Sequence, residues 1–117
     1  MKQDRDIGSG FLPKSDGCEG CLASGGWWLH LRRCATCGYI GCCNSSPGQH
    51  AEMHARESGH SVAASFEPLQ NWFVDFRTRR VFRSKRLPPP HSHPASQPVP
   101  GPAGRVPRDW ESLLRDS

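Results

Sequence analysis

Apolar and polar residues alternate in several short stretches of the chain, as expected for strands with one buried face. The alternation runs from Leu29 to Arg33, and a side chain that changes face at every residue is the signature of a half-buried strand. We expect further strands at Ser61–Phe66 and Asn71–Phe76, with Thr78–Phe82 pairing with the latter as a hairpin. The short apolar link Gly38–Gly41 predicts one more strand.

One segment has the composition of a helix. Residues Gln49–Glu57 are rich in Ala, Glu, Met and Arg, which are good helix formers. Ser46 or Asn44 would cap its start and Pro47 suits the first turn. Gly59 is a natural stop. Strands around one main helix predict a small α+β fold with an antiparallel sheet.

Both ends of the chain differ in composition from its middle. Residues 1–17 are polar and interrupted by glycines, so we expect a flexible lead. Eight of the eleven prolines fall between residues 87 and 108, which predicts a disordered tail over 84–117 and an ordered domain over 18–83. Asp109–Arg115 carries Trp110, Leu113 and Leu114 at helical spacing and is either a short docking motif or an unstructured end.

The composition indicates a domain that its apolar core alone does not hold together. Only 35% of residues are hydrophobic, while Gly and Pro number 12 and 11 in 117 residues. No apolar run approaches the roughly 18 residues that span a bilayer, and the polar N-terminus lacks the apolar region of a signal peptide. We therefore expect a cytoplasmic monomer without a membrane anchor.

The net charge of +4 is distributed unevenly. Six basic residues and no acidic ones lie within ten positions: Arg77, Arg79, Arg80, Arg83, Lys85 and Arg86. Such a cluster can neutralise phosphates and bind nucleic acid or another polyanion without reading sequence. The other interpretation is a solvated strand edge that its charges protect from aggregation.

The cysteines and histidines have the spacing of metal ligands. All six cysteines lie between positions 18 and 43, and in reducing surroundings they are not expected to form disulfides. The pattern contains two CxxC pairs and an adjacent cysteine pair, followed by three histidines: Cys18, Cys21, Cys34, Cys37, Cys42, Cys43, His50, His54 and His60. Thiolate and imidazole donors favour zinc. Two tetrahedral sites need eight ligands, so one of these nine is spare, and the Cys42–Cys43 pair is where we expect it.

These residues give the chain a family resemblance. The stretch from Cys18 to Phe76 resembles the UBP-type zinc finger of deubiquitinating enzymes, and the run Gly41–Ala51 is most similar to bacterial members. The resemblance implies an interleaved, cross-braced arrangement of two zinc ions. One ion would be held by Cys18, Cys21, Cys42 and His50, and the other by Cys34, Cys37, His54 and His60. Phe73 and Phe76 stand where some members have ligands for a third ion, so we expect none here.

Both implied sites are closed by four protein ligands. A catalytic zinc keeps one position open for water or substrate, whereas a closed site is structural. Cys43 is the one candidate nucleophile, and its position beside a zinc ligand favours a small buried residue instead. The sequence therefore predicts a binding module and not an enzyme.

The resemblance also implies a peptide-binding groove with altered specificity. Family members that bind the free C-terminus of ubiquitin use an arginine whose position is occupied here by Asn44. Trp72 is kept, Trp28 matches the first tryptophan, and Val74 and Arg79 replace tyrosines. We expect this groove to bind a protein or peptide, with a free C-terminus as one option, and to bind ubiquitin poorly.

Overall fold

The computed structural model describes residues 12–114. The first eleven residues of the expected N-terminal lead lie outside this range, as do Arg115 of the expected C-terminal motif and the two residues that follow it. A five-stranded antiparallel sheet has the order β2-β1-β3-β4-β5. Its strands are β1 (Leu31–Cys34), β2 (Ile40–Cys42), β3 (Val62–Ser65), β4 (Phe73–Asp75) and β5 (Arg80–Phe82). Helices α1 (Glu19–Ser24) and α2 (His50–Ser58) are followed by 3₁₀ helices at Ala103–Arg105 and Trp110–Leu113.

The predicted α+β class is confirmed, with α2 as the main helix between β2 and β3. Strands β1 and β2 pair through Arg32 and Gly41, and β4 and β5 form the expected hairpin. Helix α1 was not predicted. Its sequence signals are local: the Cys18 thiol caps its first turn and Gly25 ends it with a φ of 81°, a conformation that glycine adopts readily.

The expected cap of α2 is wrong. Gln49 precedes the helix with a φ of 49° and the helix has no side-chain cap. The Ser46 hydroxyl instead accepts a hydrogen bond from the Leu29 amide at 2.8 Å, and the Asn44 side chain donates to Glu52. The expected stop is present, because the Gly59 amide donates to the Ala55 carbonyl at 2.9 Å.

The buried apolar residues form two clusters. One surrounds three of the cysteines and contains Cys18, Cys21, Trp28, Leu31, Ile40, Cys42 and Phe66. The other lies farther along the same face of the sheet and contains Ala35, Val62, Phe73 and Leu87, with Phe82 packed against it. The two clusters are small, as the composition predicted, and the first is continuous with a group of metal-type ligands.

Residues 87–105, here called the C-terminal strap, pack against the domain although their composition predicted a disordered tail. Leu87 joins the second apolar cluster, and His93 is buried with its amide donating to the Phe66 carbonyl at 2.9 Å. Gly101 exchanges two backbone hydrogen bonds with Trp28, of 2.8 and 3.0 Å. The strap therefore behaves as part of the fold.

Proline carbonyls explain how a segment with so few amide donors attaches. The buried Arg33 guanidinium in β1 donates to the Pro88 and Pro90 carbonyls at 2.7 and 3.0 Å. At the far end, Arg105 donates to the Cys21 carbonyl at 3.0 Å. Proline keeps its acceptor while lacking a donor, so arginine side chains supply the bonds that a strand ladder would otherwise make. Within residues 12–114 no helix is long and apolar enough to cross a membrane.

Candidate metal centres and peptide groove

Four residues from three elements converge on one point inside the first apolar cluster. Cys18 and Cys21 come from the start of α1, Cys42 ends β2, and His50 begins α2. The Nδ1 atom of His50 lies 3.3 Å from the sulfurs of Cys18 and Cys21 and 3.5 Å from that of Cys42. We call this group the core tetrad.

These separations fit a tetrahedral zinc site. With Zn–S near ~2.3 Å and Zn–N near ~2.0 Å, ligand atoms lie about 3.5–3.8 Å apart. The sulfurs of Cys21 and Cys42 are 3.9 Å apart, and all four ligand atoms lie within 4.8 Å of one another. Gly41 allows this close approach of β2 and α2, since a Cβ there would lie 2.5 Å from the Ala51 nitrogen.

The surroundings of the core tetrad favour thiolates that are bound to a cation. The backbone amides of Cys21 and His50 each point at a sulfur, those of Cys18 and Cys42, at 3.3 Å. Hydrogen bonds with Cys18 and Cys42, together with burial, raise the pKa of the Cys21 thiol far above its ordinary value. Three clustered sulfurs in an apolar setting cannot all be charged alone, and a divalent cation removes this penalty.

A second group, the rim tetrad, lies on the other side of β1. Cys34 ends that strand, Cys37 follows in the turn, His54 lies on α2, and His60 follows the helix. The sulfur of Cys37 lies 3.4 Å from His54 Nε2 and that of Cys34 lies 3.7 Å from His60 Nδ1. All four ligand atoms again lie within 4.8 Å of one another. Burial raises the pKa of the Cys34 thiol to about 11, which a bound cation would offset.

The two tetrads are the interleaved sets that the resemblance implied, and each fits one zinc ion. Within residues 12–114 these are the two groups with metal-ligand geometry, and the absence of a third zinc ion stays a prediction. Phe73, which the resemblance places at a ligand position for a third ion, instead packs on Phe82 with ring centroids 5.6 Å apart. Each ion would join segments that are distant in sequence, which stabilises a domain with a small core.

Cys43 belongs to neither tetrad. Its sulfur lies 3.5 Å from the Ser46 hydroxyl and its side chain is buried. The neighbouring Cys42 points into the core tetrad because successive residues of β2 face opposite sides of the sheet. Cys43 is thus the spare thiol that the ligand arithmetic anticipated.

A groove runs along the sheet face that packs beside α2. It consists of two adjoining concavities, of about 490 and 1250 Å³, that share Asn44, Val74, Phe76 and Val81. Trp72 lines the smaller concavity. The floor is apolar, and Val81 is well exposed there. Three of the four residues predicted for the peptide groove therefore do line one surface.

Trp28, the fourth predicted residue, lies elsewhere. Its side chain is 3% exposed and belongs to the core cluster, with its backbone paired to Gly101. The groove position is taken by Arg32, whose guanidinium carbon lies 4.6 Å from the centroid of the Trp72 ring. The prediction that Trp28 lines the groove is therefore wrong. Trp28 precedes β1 and is buried in the core, whereas Arg32 of β1 lines the groove.

Arg32 changes the electrostatics that the sequence predicted for this groove. Burial lowers the pKa of Arg32, but a guanidinium stays protonated in proteins. Its Nη1 donates to the Leu31 carbonyl at 3.0 Å, which holds it against the tryptophan. Asn44 occupies the position of the arginine in family members that bind ubiquitin, and Arg32 places a guanidinium in the same concavity from β1. The signal was the alternation of β1, which sets Arg32 and Arg33 on opposite faces.

The other end of the groove contains an ion-pair network around Glu52. This buried carboxylate receives two bonds from Arg79, at 2.5 and 2.8 Å, and one from Asn44 at 2.6 Å. Arg56 adds a bond of 2.7 Å. The Arg79 bonds, reinforced by Asn44, lower the pKa of Glu52 to about 2. Asn44 and Arg79 are therefore engaged with a groove carboxylate, which sequence reasoning missed.

The basic segment is only partly available for a polyanion. Arg77 pairs with Asp75 at 3.2 Å, and Arg79 is committed to Glu52. Exposed side chains of the other four positions follow along β5 and beyond it: Arg80, Arg83, Lys85 and Arg86. Ion pairing within the domain thus reduces the charge that the segment presents.

Comparisons with known proteins agree with this geometry. The sequence profile described as "Zn-finger in ubiquitin-hydrolases and other protein" matches residues 18–82. A protein from Rhodopseudomonas palustris, with a structure determined by solution NMR, is 32% identical at a TM-score of 0.66. The match covers 86% of this chain and 93% of that protein, so it extends beyond the residues that the profile matches. No curated protein matches the chain.

Proposed function

The chain belongs to the family of zinc fingers found in ubiquitin hydrolases and other proteins, and from that premise we propose that it is a non-catalytic peptide-binding module. Two structural zinc ions would hold the sheet in shape, and each tetrad would already give its ion four protein ligands. The module would act as a cytoplasmic monomer that binds a protein or peptide segment in the groove beside α2.

One observation supports this function above the others: the stacking of Arg32 on Trp72 inside a concave, partly apolar surface. A half-buried guanidinium over an indole has lost water and gains from an anionic partner. Val74 and Phe76 continue the apolar floor beyond it. A cation at one end of an apolar groove suits a peptide that ends in a carboxylate.

Ubiquitin is not the ligand that this groove favours. The guanidinium approaches from β1 and not from position 44, and Val74 and Arg79 offer no hydroxyl. Arg79 is also held by Glu52. A carboxylate bound to Arg32 would therefore lie in a different place from the one that an arginine at position 44 would select, with a different side-chain preference for the preceding residues.

The test is a binding screen with zinc-loaded protein and short peptides that carry either a free or an amidated C-terminus. We expect free-carboxylate peptides to bind and their amidated forms to bind at least about tenfold more weakly, since a charge-assisted bond is lost. Arg32→Gln should abolish this difference, while Arg83→Gln, an equal charge change outside the groove, should preserve it. Equal binding of free and amidated peptides would contradict the proposal.

A polyanion-binding function makes the opposite prediction in the same assay format. With four exposed basic side chains outside the ion pairs, duplex DNA should bind with a log–log salt slope of at most about −3.6. That binding would be lost when Arg80, Arg83, Lys85 and Arg86 are changed together, and it would not respond to Trp72→Ala. The peptide function predicts loss on Trp72→Ala and modest salt dependence.

A further inference from the structure

The groove beside α2 has a second charged end, opposite the one that contains Arg32. We take the C-terminal carboxylate of a bound peptide to lie against Arg32, as in the proposed function on which this inference rests. Arg32 and Trp72 line only the smaller concavity, whereas three charged residues line only the larger one, namely Glu52, Arg56 and Arg79. The two ends are joined by the apolar floor that both concavities share.

The second end of the groove carries a net positive charge. Among the described residues that line it, Glu52 is the one carboxylate, and it already accepts two bonds from Arg79 and one from Arg56. Two guanidinium groups therefore share one carboxylate. Their side chains are 59% and 74% exposed, and each guanidinium has five N–H donors. Both arginines thus keep donors that an incoming anion can reach.

Glu52 also fixes the position of Arg79. The φ of Arg79 is 62°, a conformation that residues other than glycine rarely adopt. The turn alone therefore does not account for an arginine at this position. Its side chain crosses to α2 and is held there by the two bonds to Glu52. A guanidinium that is already held in place loses less conformational entropy when it binds an anion.

The length of the apolar floor sets where along a peptide the second contact would fall. Trp72, Val74 and Phe76 lie at alternate positions and all line the groove, as expected for side chains on one face of a sheet. The four steps from Trp72 to Phe76 span about 13–14 Å of extended chain, and Arg79 lies in the turn that follows Phe76. An extended peptide covers the same distance with about four of its own residues. Its fourth or fifth residue from the C-terminus would therefore lie at the second end.

We propose that the groove selects an acidic peptide, whose free C-terminal carboxylate binds Arg32 and whose fourth or fifth residue from the end is an Asp or Glu bound by Arg79 and Arg56. A carboxylate at that position would accept charge-assisted bonds from the guanidinium groups. A lysine there would face the two arginines, while Glu52 is already occupied by them. The partner is therefore a peptide or protein tail that is acidic just before its C-terminus.

The experiment titrates the zinc-loaded full chain with decapeptides and follows its amide NMR shifts at constant ionic strength. The peptides carry Glu, Gln or Lys at both the fourth and the fifth residue from the C-terminus, and each is made with a free and with an amidated end. With the free end, we expect the Glu peptide to bind about threefold to tenfold more tightly than the Gln peptide, and the Lys peptide to bind more weakly than both. A peptide with its two Glu residues moved to the N-terminal end should bind like the Gln peptide.

Matched variants separate this contact from the general basicity of the chain. Arg79→Gln should bring the affinity ratio of the Glu and Gln peptides below about twofold. Arg80→Gln makes the same charge change at the next residue, which pairs with Asp75 on the opposite face of the sheet, and should leave the ratio unchanged. Arg56→Gln, at a more exposed side chain, tests the same contact if the Arg79 variant folds poorly, and should lower the ratio by about twofold.

The free and amidated ends distinguish this inference from the proposed function. Equal binding of the Glu, Gln and Lys peptides, with the free end still preferred, would overturn the acidic preference and leave the proposed function in place. An equal gain from Glu residues at the N-terminal end would do the same, since it would report general electrostatic attraction. Equal binding of free and amidated peptides, or no binding of any peptide, would overturn both.

Discussion

The core and rim tetrads have the same number of protein ligands but differ in how deeply they are built into the fold. Cys18, Cys21 and Cys42 of the core tetrad are 0, 1 and 0% exposed and lie within an apolar cluster. In the rim tetrad only Cys34 is buried, whereas Cys37, His54 and His60 are partly exposed. The core tetrad is a part of the hydrophobic core, whereas the rim tetrad clamps its edge.

The strap increases this difference. It reaches the core-tetrad half of the molecule through the Trp28–Gly101 pair and the bond from Arg105 to the Cys21 carbonyl. The rim tetrad is supported instead by a local stack, in which the rings of Tyr39 and His54 lie 4.2 Å apart. Ligand number alone therefore does not set the structural role of a zinc site: what surrounds the ligands determines how much of the fold depends on the ion.

The largest expected effect follows from removing one sulfur from each tetrad. Cys21→Ser should abolish folding and reduce zinc content to near zero, because structural zinc contributes roughly 10–16 kcal/mol to such domains and here the ion is continuous with the core. Cys37→Ser should retain one zinc and most of the sheet. Metal analysis and amide NMR dispersion measure both outcomes. If both variants lose the same zinc and the same structure, the comparison between core and rim fails.

The next effect compares two tryptophans. Trp28→Ala should destabilise the protein by about 3–5 kcal/mol, as expected for a large buried side chain. Trp72→Ala, on the groove surface, should cost about 1 kcal/mol and should remove peptide binding. Denaturant unfolding of the zinc-loaded proteins measures the two stabilities. If Trp72→Ala lowered the free energy of unfolding more than Trp28→Ala, the assignment of Trp28 to the core and Trp72 to the groove surface would be wrong.

The sequence predicted the tetrads well because their chemistry is local. A CxxC turn brings two sulfurs together, and His50 and His54 are four residues apart at the spacing of one helix face. Which sulfur pair joins which histidine depends on strand order, and only the resemblance supplied that pairing. The packing of the strap and the lining of the groove could not be predicted in this way, because both depend on tertiary contacts. The strap attaches through arginines that are distant in sequence. Arg32 lines the groove because of the register of β1.

A smaller effect concerns Glu67, which joins the strap to the core-tetrad side of the sheet. Its Oε2 accepts from the Leu31 amide at 2.9 Å. Its Oε1 lies 3.2 Å from His30 Nδ1 and 3.1 Å from His93 Nε2, and His93 belongs to the strap. Burial alone would raise the pKa of Glu67, but the contacts with His30 and His93 outweigh it and hold the pKa below its ordinary value.

The sign of the pH dependence follows from that lowered pKa. A carboxylate whose pKa is lower in the folded state stabilises the fold above its ordinary pKa of 4.5 and loses this contribution as the pH falls through the folded value. Glu67→Gln should therefore cost about 1–3 kcal/mol at neutral pH, with the difference from the parent protein shrinking in acid. Unfolding free energies of both proteins from neutral pH downward measure this. A difference that grows in acid would contradict the assignment.

The smallest effect is expected from a substitution of Cys43, the cysteine next to the zinc ligand Cys42. Cys43 is buried beside Ser46 and outside both tetrads, so Cys43→Ala should leave two zinc ions bound and cost about 1 kcal/mol for the lost packing. Cys42→Ala removes a sulfur that lies 3.5 Å from His50 Nδ1 and should unfold the core tetrad. Because the two residues are adjacent and chemically identical, any difference between the variants reports position alone. Zinc loss in Cys43→Ala with retention in Cys42→Ala would move the ligand by one residue and reverse the face that β2 presents to the core.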